Sequence, residues 1–389
     1  MSGKIRLITI ILGVLLTPIL LFGQHEIDEM EQSCNSFYNF YSINRLSTVA
    51  SGRGYSGIAD QGNLSLGILN PAAIQLDRTW QIYYELNDKD QVEFQEYDRC
   101  VSFDKYKNSK VFGLAFKNHG FNAGIIYYQQ ASYDFNTCIP CIYNDHLVDS
   151  LDYHLQNLVT HLTLPINYTV NDWLKVGAAL QFERYESRDP AAIYGQYGIS
   201  DIIIGKIDLQ IVRPRFGINL TPLKNLAVGA TFLMEANKSI IKDYGAYYGE
   251  VKFKENPFPM QIGAGLKYSM PFAPVNILAD FNYSKDSVYD YLKDRSDYNL
   301  GVEYTWKEML TFRTGYYTQM DYRDLDATYE GTEYLFWDDQ ISYEQNFVTM
   351  GLTYRWKGFQ FNASYMDSGI MKAGDIEQSY LNVGVAYNI

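Results

Sequence analysis

Apolar and polar residues alternate through most of this chain with the period of an extended strand. Between Tyr298 and Trp306, the residues Tyr298, Leu300, Val302, Tyr304 and Trp306 share one face, and Asn299, Gly301, Glu303 and Thr305 share the other. The split recurs in Val348, Met350, Leu352, Tyr354 and Trp356 against Thr349, Gly351, Thr353 and Arg355, and again in Leu381, Val383, Val385 and Tyr387 against Asn382, Gly384 and Ala386. Many runs reach about 10 to 13 residues, longer than the five or six usual in soluble sheets and long enough for a tilted strand to cross a bilayer. Very short turns join pairs of runs at Asn118–Gly120, Asn171–Asp172, Pro222–Asn225, Pro271–Pro274, Lys307–Glu308 and Lys357–Gly358.

The pattern predicts strands near residues 79–87, 110–118, 120–131, 157–170, 173–187, 207–221, 226–238, 258–270, 275–285, 296–306, 309–320, 344–357, 359–369 and 377–388. The expected fold is therefore an all-β transmembrane antiparallel β-barrel of about fourteen strands. Short turns belong at its periplasmic end. Residues 88–109, 132–156, 188–206, 239–257 and 321–343 are expected as long external loops, the usual place for contacts to partners.

Register follows from the turns. The Lys357–Gly358 turn sets Arg355 opposite Gln360 on the polar face, and face-matching brings Glu303 within about one pleat of Arg313, so Glu303, Arg313 and Arg355 are expected in the lumen. A structural ion pair is preferred there over a permeation site. Gln181, Glu183, Glu235 and Asp280 are further lumen candidates, and together these polar positions weigh against a greasy conduit along the whole bore. Apolar residues switch from odd positions at Leu209 and Ile211 to even positions at Phe216, Ile218 and Leu220, which predicts a bulge near Val212–Pro214. Pro165 is a second candidate interruption, and either would be a candidate lateral kink in the wall.

The N-terminus changes the picture. Lys4 and Arg6 precede an apolar stretch from Leu7 to Phe22 that ends at Gly23, the layout of a secretory signal peptide over residues 1–23. A permanent membrane helix fits less well because the stretch is short and contains Pro18. Export together with amphipathic strands points to the outer membrane of a Gram-negative-type bacterium, where only a closed sheet satisfies its backbone in lipid. Residues 24–78 do not alternate; their small residues suit a plug that precedes a barrel over 79–389.

That segment also carries a family likeness. Gly52-Arg53-Gly54-Tyr55-Ser56-Gly57-Ile58-Ala59-Asp60, followed by Asn70-Pro71-Ala72-Ala73, resembles the N-terminal signature of the FadL-like outer-membrane superfamily, which includes fatty-acid and aromatic-hydrocarbon channels and the PorV and PorQ proteins of type IX secretion. The resemblance implies a fourteen-stranded barrel closed by an N-terminal hatch, with Gly52, Gly54, Gly57, Asn70, Pro71 and Ala72 as hatch residues. The chain departs from the pattern at Leu69, where an aromatic residue is common, and in ending on Asn388-Ile389.

Aromatic residues form 16% of the 389 residues, as an interfacial girdle requires, and a net charge of −13 argues against nucleic acid as a partner. Cys34, Cys100, Cys138 and Cys141 are an even set in an exported chain, so disulfides are expected, with the pairing open. Cys138 and Cys141 with His146 make only half a zinc site. No phosphate-loop run accompanies the glycines, nothing calls for a cofactor, and no nucleophile motif stands beside His146, His154 or His161, so catalysis is not expected. Two function classes remain: passive uptake or export of small hydrophobic molecules through a hatch-gated or lateral route, or a binding module that holds a secretion or surface-attachment protein. Outer-membrane lipid is a partner in either.

Overall fold

In the computed structural model the described residues are 47–389, apart from 90–92, 95–100, 103–108, 144–145, 196–197, 237–239, 244–249, 254–258, 286–292, 322–327, 330–331, 334–341, 343 and 375. The expected signal peptide, Cys34 and Cys100 lie outside them.

Fourteen long strands form the wall: β1 (Trp80–Lys89), β2 (Ser109–Asn118), β3 (Phe121–Tyr143), β4 (His146–Asn171), β5 (Leu174–Gly195), β6 (Gly198–Leu223), β7 (Leu226–Leu233), β8 (Gln261–Ser269), β9 (Val275–Ser284), β10 (Arg295–Trp306), β11 (Leu310–Gln319), β12 (Gln345–Trp356), β13 (Phe359–Asp367) and β14 (Ser379–Asn388). Each pairs antiparallel with its neighbours in sequence, and β1 pairs with both β2 and β14, so the sheet closes on itself. No strand edge is left along the ring for lipid to desolvate. All fourteen predicted strands are present.

The faces divide as the alternation requires. Leu352 and Tyr354 point outward, 40% and 38% exposed, while Thr353 between them is fully buried. Arg355 stands opposite Gln360, and Glu303 directly opposite Arg313. An apolar exterior over a polar interior is the arrangement of a barrel solvated by hydrocarbon.

Three expectations need correction. Residues 132–156 and 188–206 are not loops: β3 to β6 continue through them as two adjacent hairpins. Strands of 23 and 26 residues run roughly 75 to 85 Å along their axes at about 3.3 Å per residue, far beyond a ~25 Å apolar band. Above that band neither face meets lipid, so the alternation that marks a strand fades and the sequence reads as loop. Cys138 and Cys141 accordingly lie in β3, opposite Asp152 and Asp149 of β4. The stretches 88–109, 239–257 and 321–343 also contain short paired strands.

Toward β5 no bulge interrupts Val212–Pro214, whereas toward β7 the ladder stops at Arg215 opposite Leu233 and is next met, one residue out of register, at Lys206 opposite Asp243. The β5–β6 register runs unbroken from Asp201 to Leu220, the one shift lying beyond Asp201 between Ile193 and Tyr194, and Ile211 is an inward residue while Val212 points outward. An apolar side chain on the inner face had imitated a change of pleat. Pro165 keeps its register with β5 at Ala179, but the β3–β4 ladder lapses at Leu164 and Pro165 and resumes in the same register at Ile126 opposite Thr163, so the expected interruption is present on that side. Glu235 is exposed beyond the end of β7 and does not reach the lumen.

Candidate functional site

The bore is occupied by the chain's own residues 47–77. A single helical turn, Thr48–Ser51, begins at Ser47, whose hydroxyl accepts from the Ala50 amide at 3.3 Å. Two short 3-10 turns follow, Leu64–Ile68 and Pro71–Ala73. Asn70 caps the second by accepting from the Ala72 amide at 2.9 Å, and Pro71 takes the first position, where a missing N–H costs nothing. The amide nitrogen of Asn70 donates to Ile58 O at 2.7 Å and to Ile218 O of β6 at 3.1 Å. One side chain thus closes the turn, ties the segment to itself and fastens it to the wall.

Polar lumen side chains meet the segment's backbone around the ring. Glu85 of β1 accepts from the Thr48 amide at 2.9 Å, Thr349 of β12 from Gly54 at 2.8 Å, and Asp280 of β9 from Gly57 and Ile58 at 2.6 and 2.9 Å. Asn299 of β10 donates to Gly54 O, Asn219 of β6 to Ala59 O, and Asn167 of β4 to Pro71 O and Ile74 O. Backbone groups buried without water need such partners, which explains why the inner face is rich in Asn, Thr and carboxylates.

Inward glycines bring the segment close. A methyl group on Gly351 of β12 would lie 2.8 Å from the Gly52 Cα, and Gly177, Gly217, Gly229, Gly301 and Gly315 likewise leave no room for a side chain between wall and segment. Gly54 has φ +64° beside Leu300 O and Tyr316 N, a conformation and an approach that only glycine permits without strain. These glycines recur on the polar face of the strands, a signal that the alternation analysis passed over as mere polarity.

At the centre lies a buried charge network. Arg53, fully buried, sets Nη1 2.7 Å from Asp60 and 2.8 Å from Glu303, while its Nε donates to Ser56 O at 2.7 Å. Glu303 also receives Arg313 Nε at 2.5 Å, and Asp60 receives Lys267 Nζ at 2.6 Å. Burial alone would depress the Arg53 guanidinium, but Asp60 and Glu303 together raise it above its ordinary value. Burial likewise opposes ionisation of Asp60, and Arg53 and Lys267 outweigh it, holding the carboxyl below the usual range. Three cations, Arg53, Arg313 and Lys267, thus share two carboxylates, Asp60 and Glu303, in one chain of ion pairs. Arg355 stands apart at the turn end, exposed, with Nη1 on Thr311 Oγ1 at 2.9 Å.

Toward the hairpin end the lumen becomes apolar. Tyr55, Leu66 and Leu69 of the segment pack with Tyr317, Phe347, Met366 and Tyr380 of the wall. Tyr55 meets Tyr317 edge-on at 5.2 Å, and Tyr317 stacks on Phe347 at 4.6 Å. Leu69, where the signature commonly has an aromatic residue, belongs to this cluster. Beside it a pocket is lined by Tyr55, Ile58 and Leu69 from the segment and by Arg215, Thr231, Gly263, Asn282, Ser284 and Asp297 from the wall, next to β7, the shortest strand. Arg215 is buried and donates Nη1 to Leu69 O at 3.3 Å; its Nε and Nη2 meet no acceptor among the described residues. Nearby, His161 stacks on Tyr128 at 4.4 Å and bonds Gln181 at 3.1 Å.

The same architecture is found in solved channels. The chain aligns with the toluene transporter TodX of Pseudomonas putida at a TM-score of 0.61 and 13% identity, over 90% of this chain and 98% of that one. The toluene transporter TbuX of Ralstonia pickettii gives 0.59 and 13%, over 89% and 98%, and a FadL homologue from Pseudomonas aeruginosa gives 0.60 and 12%, over 88% and 98%. The fold is that of the FadL-like channels. No family model matches the sequence, and no curated protein matches it either. At these identities the FadL-like likeness lies in backbone architecture. The Asn70-Pro71-Ala72 element is explained here by its own bonds: cap, turn and anchor to the wall of a FadL-like barrel.

Of the residues singled out in the sequence, Gly52, Gly54, Gly57, Asn70, Pro71 and Ala72 are all buried in the bore, and Glu303 and Arg313 meet there as a pair. Val212, Pro214 and Pro165 keep an unbroken ladder toward β5, while the ladders on their other sides, toward β7 and β3, are interrupted at these positions. The sequence reasoning missed Arg53 and Asp60 as the other half of the charge network, Tyr317 and Phe347 as inward aromatics, and Arg215. For Tyr317, Phe347 and Arg215 the exception each makes to its own face was the available signal: a bulky aromatic or a cation among inward Thr, Asn and Gly.

Proposed function

We propose that this protein is an outer-membrane channel for the passive movement of small hydrophobic molecules, with residues 47–77 as its plug. The observation that carries the reading is the pocket beside Tyr55, Ile58 and Leu69, set against the aromatic cluster at the hairpin end of a bore that the plug otherwise fills. At about 40 Å³ the pocket is smaller than a usual small-molecule site, so a molecule of toluene's size enters it only as the plug yields. The solved structures named as toluene transporters share the architecture. Because wall side chains grip the plug all round, a molecule in the pocket leaves by local rearrangement of the plug or through the wall where the β6–β7 ladder stops at Arg215 and Leu233, and not by ejection of the whole segment.

The test is uptake of radiolabelled toluene or laurate by a Gram-negative host that lacks its own hydrophobe channels. The protein is expected to raise uptake over the empty vector, and Leu69→Trp, which fills the pocket, is expected to remove most of the gain. Folded protein at the cell surface with no gain for either compound, and a stoichiometric protein partner on mild extraction, would replace this reading with the secretion or attachment role.

A further inference from the structure

All four tryptophans among the described residues, Trp80, Trp173, Trp306 and Trp356, sit at the turn end of the barrel. Indole rings at a membrane boundary mark the depth of the lipid ester region. Two of them carry a lysine on the ring face. Lys307 Nζ lies 4.8 Å from the Trp306 ring centroid, and Lys357 Nζ lies 5.0 Å from that of Trp356. Both distances are within cation–π range, and an ammonium so placed still directs N–H donors away from the ring.

The two turns are neighbours on the rim. Lys307 follows β10 and Lys357 follows β12, and β11 pairs with β12 between them, so the lysines stand about 10 Å apart, or two strand spacings. Exposed Met309 and Tyr354 lie between the indoles. Arg78 approaches the Gly358 position and Arg355 is exposed beside it, with Glu308 and Asp77 as the nearby acids. Four cations against two carboxylates give this rim a local excess of positive charge on a chain whose net charge is −13.

Backbone strain is a second observation. Lys307, Glu308 and Lys357 hold φ of +48°, +59° and +46°, a left-handed conformation that Asn or Gly adopts at less cost. Side chains retained at strained positions point to a use for them. We propose that the Trp306–Lys307 and Trp356–Lys357 turns together form a docking site for the headgroup of an anionic phospholipid in the leaflet at the turn end. The indoles settle at ester depth, the lysine stems run along them, and each ammonium meets phosphate oxygen. The site rests on the reading that the barrel spans an outer membrane with its short turns facing the periplasm; it does not depend on what the bore carries.

The experiment is native mass spectrometry of the detergent-purified chain offered phosphatidylglycerol and phosphatidylcholine in equal amounts, at low and high salt. The wild type is expected to retain phosphatidylglycerol preferentially, and the double variant Lys307→Asn with Lys357→Asn to lose about fivefold of that preference for each lysine removed. Asn suits the left-handed turn, so the hairpins are kept, and folding is checked by heat-modifiable migration on a gel. Should the double variant fail to fold, Lys357→Asn alone, beside the retained Gly358, is read against the same scale. Equal retention of the two lipids by the wild type, or an unchanged preference in the folded variants, overturns the proposal. Uptake of toluene or laurate is measured separately, so either reading can fail while the other stands.

Discussion

Glu303→Gln removes one negative charge from the network that holds the plug. In the wild type the Glu303 carboxylate takes Arg53 Nη1 at 2.8 Å and Arg313 Nε at 2.5 Å, both guanidiniums being buried. After the change Arg53 keeps Asp60 at 2.7 Å, and Arg313 keeps Thr353 Oγ1 at 2.5 Å, but among the described residues Asp60 is left as the one paired carboxylate for the three cations. Breaking a buried pair costs about 3 to 5 kcal/mol, and since Gln still offers a carbonyl the lower end applies, about 3 kcal/mol. That corresponds to a roughly 150-fold rise in the population with the plug loosened. Trypsin reads it: Arg53 is wholly buried, so cleavage before Gly54 requires opening, and its rate follows the open fraction. The new Gly54 terminus is counted by mass spectrometry, and cleavage about a hundredfold faster than wild type is expected. Replacing the pair together, Glu303→Met with Arg313→Met, removes both charges and is expected to return the rate to within about tenfold of wild type. An unchanged rate in Glu303→Gln, or a double variant as labile as the single one, refutes the electrostatic account of plug retention.

Other expectations follow from the same geometry. Gly351→Ala places a methyl group 2.8 Å from the Gly52 Cα, so backbone must move; increased trypsin cleavage at Arg53 is expected, whereas Ala at the exposed position of Met350 should leave it unchanged. Asp60 is ionised well below the usual carboxylate range, so its stabilising contribution is complete above about pH 4 and is lost only as the pH falls toward its lowered folded value. Pepsin at pH 3 is therefore expected to spare the plug of the wild type and to cut it in Asp60→Asn. Phe347→Ala opens the aromatic cluster; uptake of toluene should change several-fold while the melting of the barrel shifts little, and an unaltered uptake would exclude the cluster from the path.

The strands were readable because lipid outside and water or polar backbone inside impose opposite chemistry at every second residue, as at Leu352 and Thr353. Where that contrast ended, so did the reading. Residues 132–156 and 188–206 extend beyond the lipid band, and nothing there enforces alternation even though the backbone continues as sheet. Ile211 misled because its apolar side chain is inward. The candidate site was visible only in part: the turn chemistry of Asn70-Pro71-Ala72 is local and could be inferred, and Glu303 with Arg313 followed from hairpin register. Arg53 and Asp60 reach Glu303 and Lys267 across some two hundred residues or more, a contact that no local pattern encodes.

The plug's first turn touches the strands that meet last. Thr48 bonds Glu85 of β1, and Ser51 bonds Ser364 of β13 and Asn382 of β14, on either side of the junction between the first and final strands. Glycine-tight contact around the circumference adds to this hold. Held from both sides of the seam, this short stretch serves as a keystone of the closed sheet.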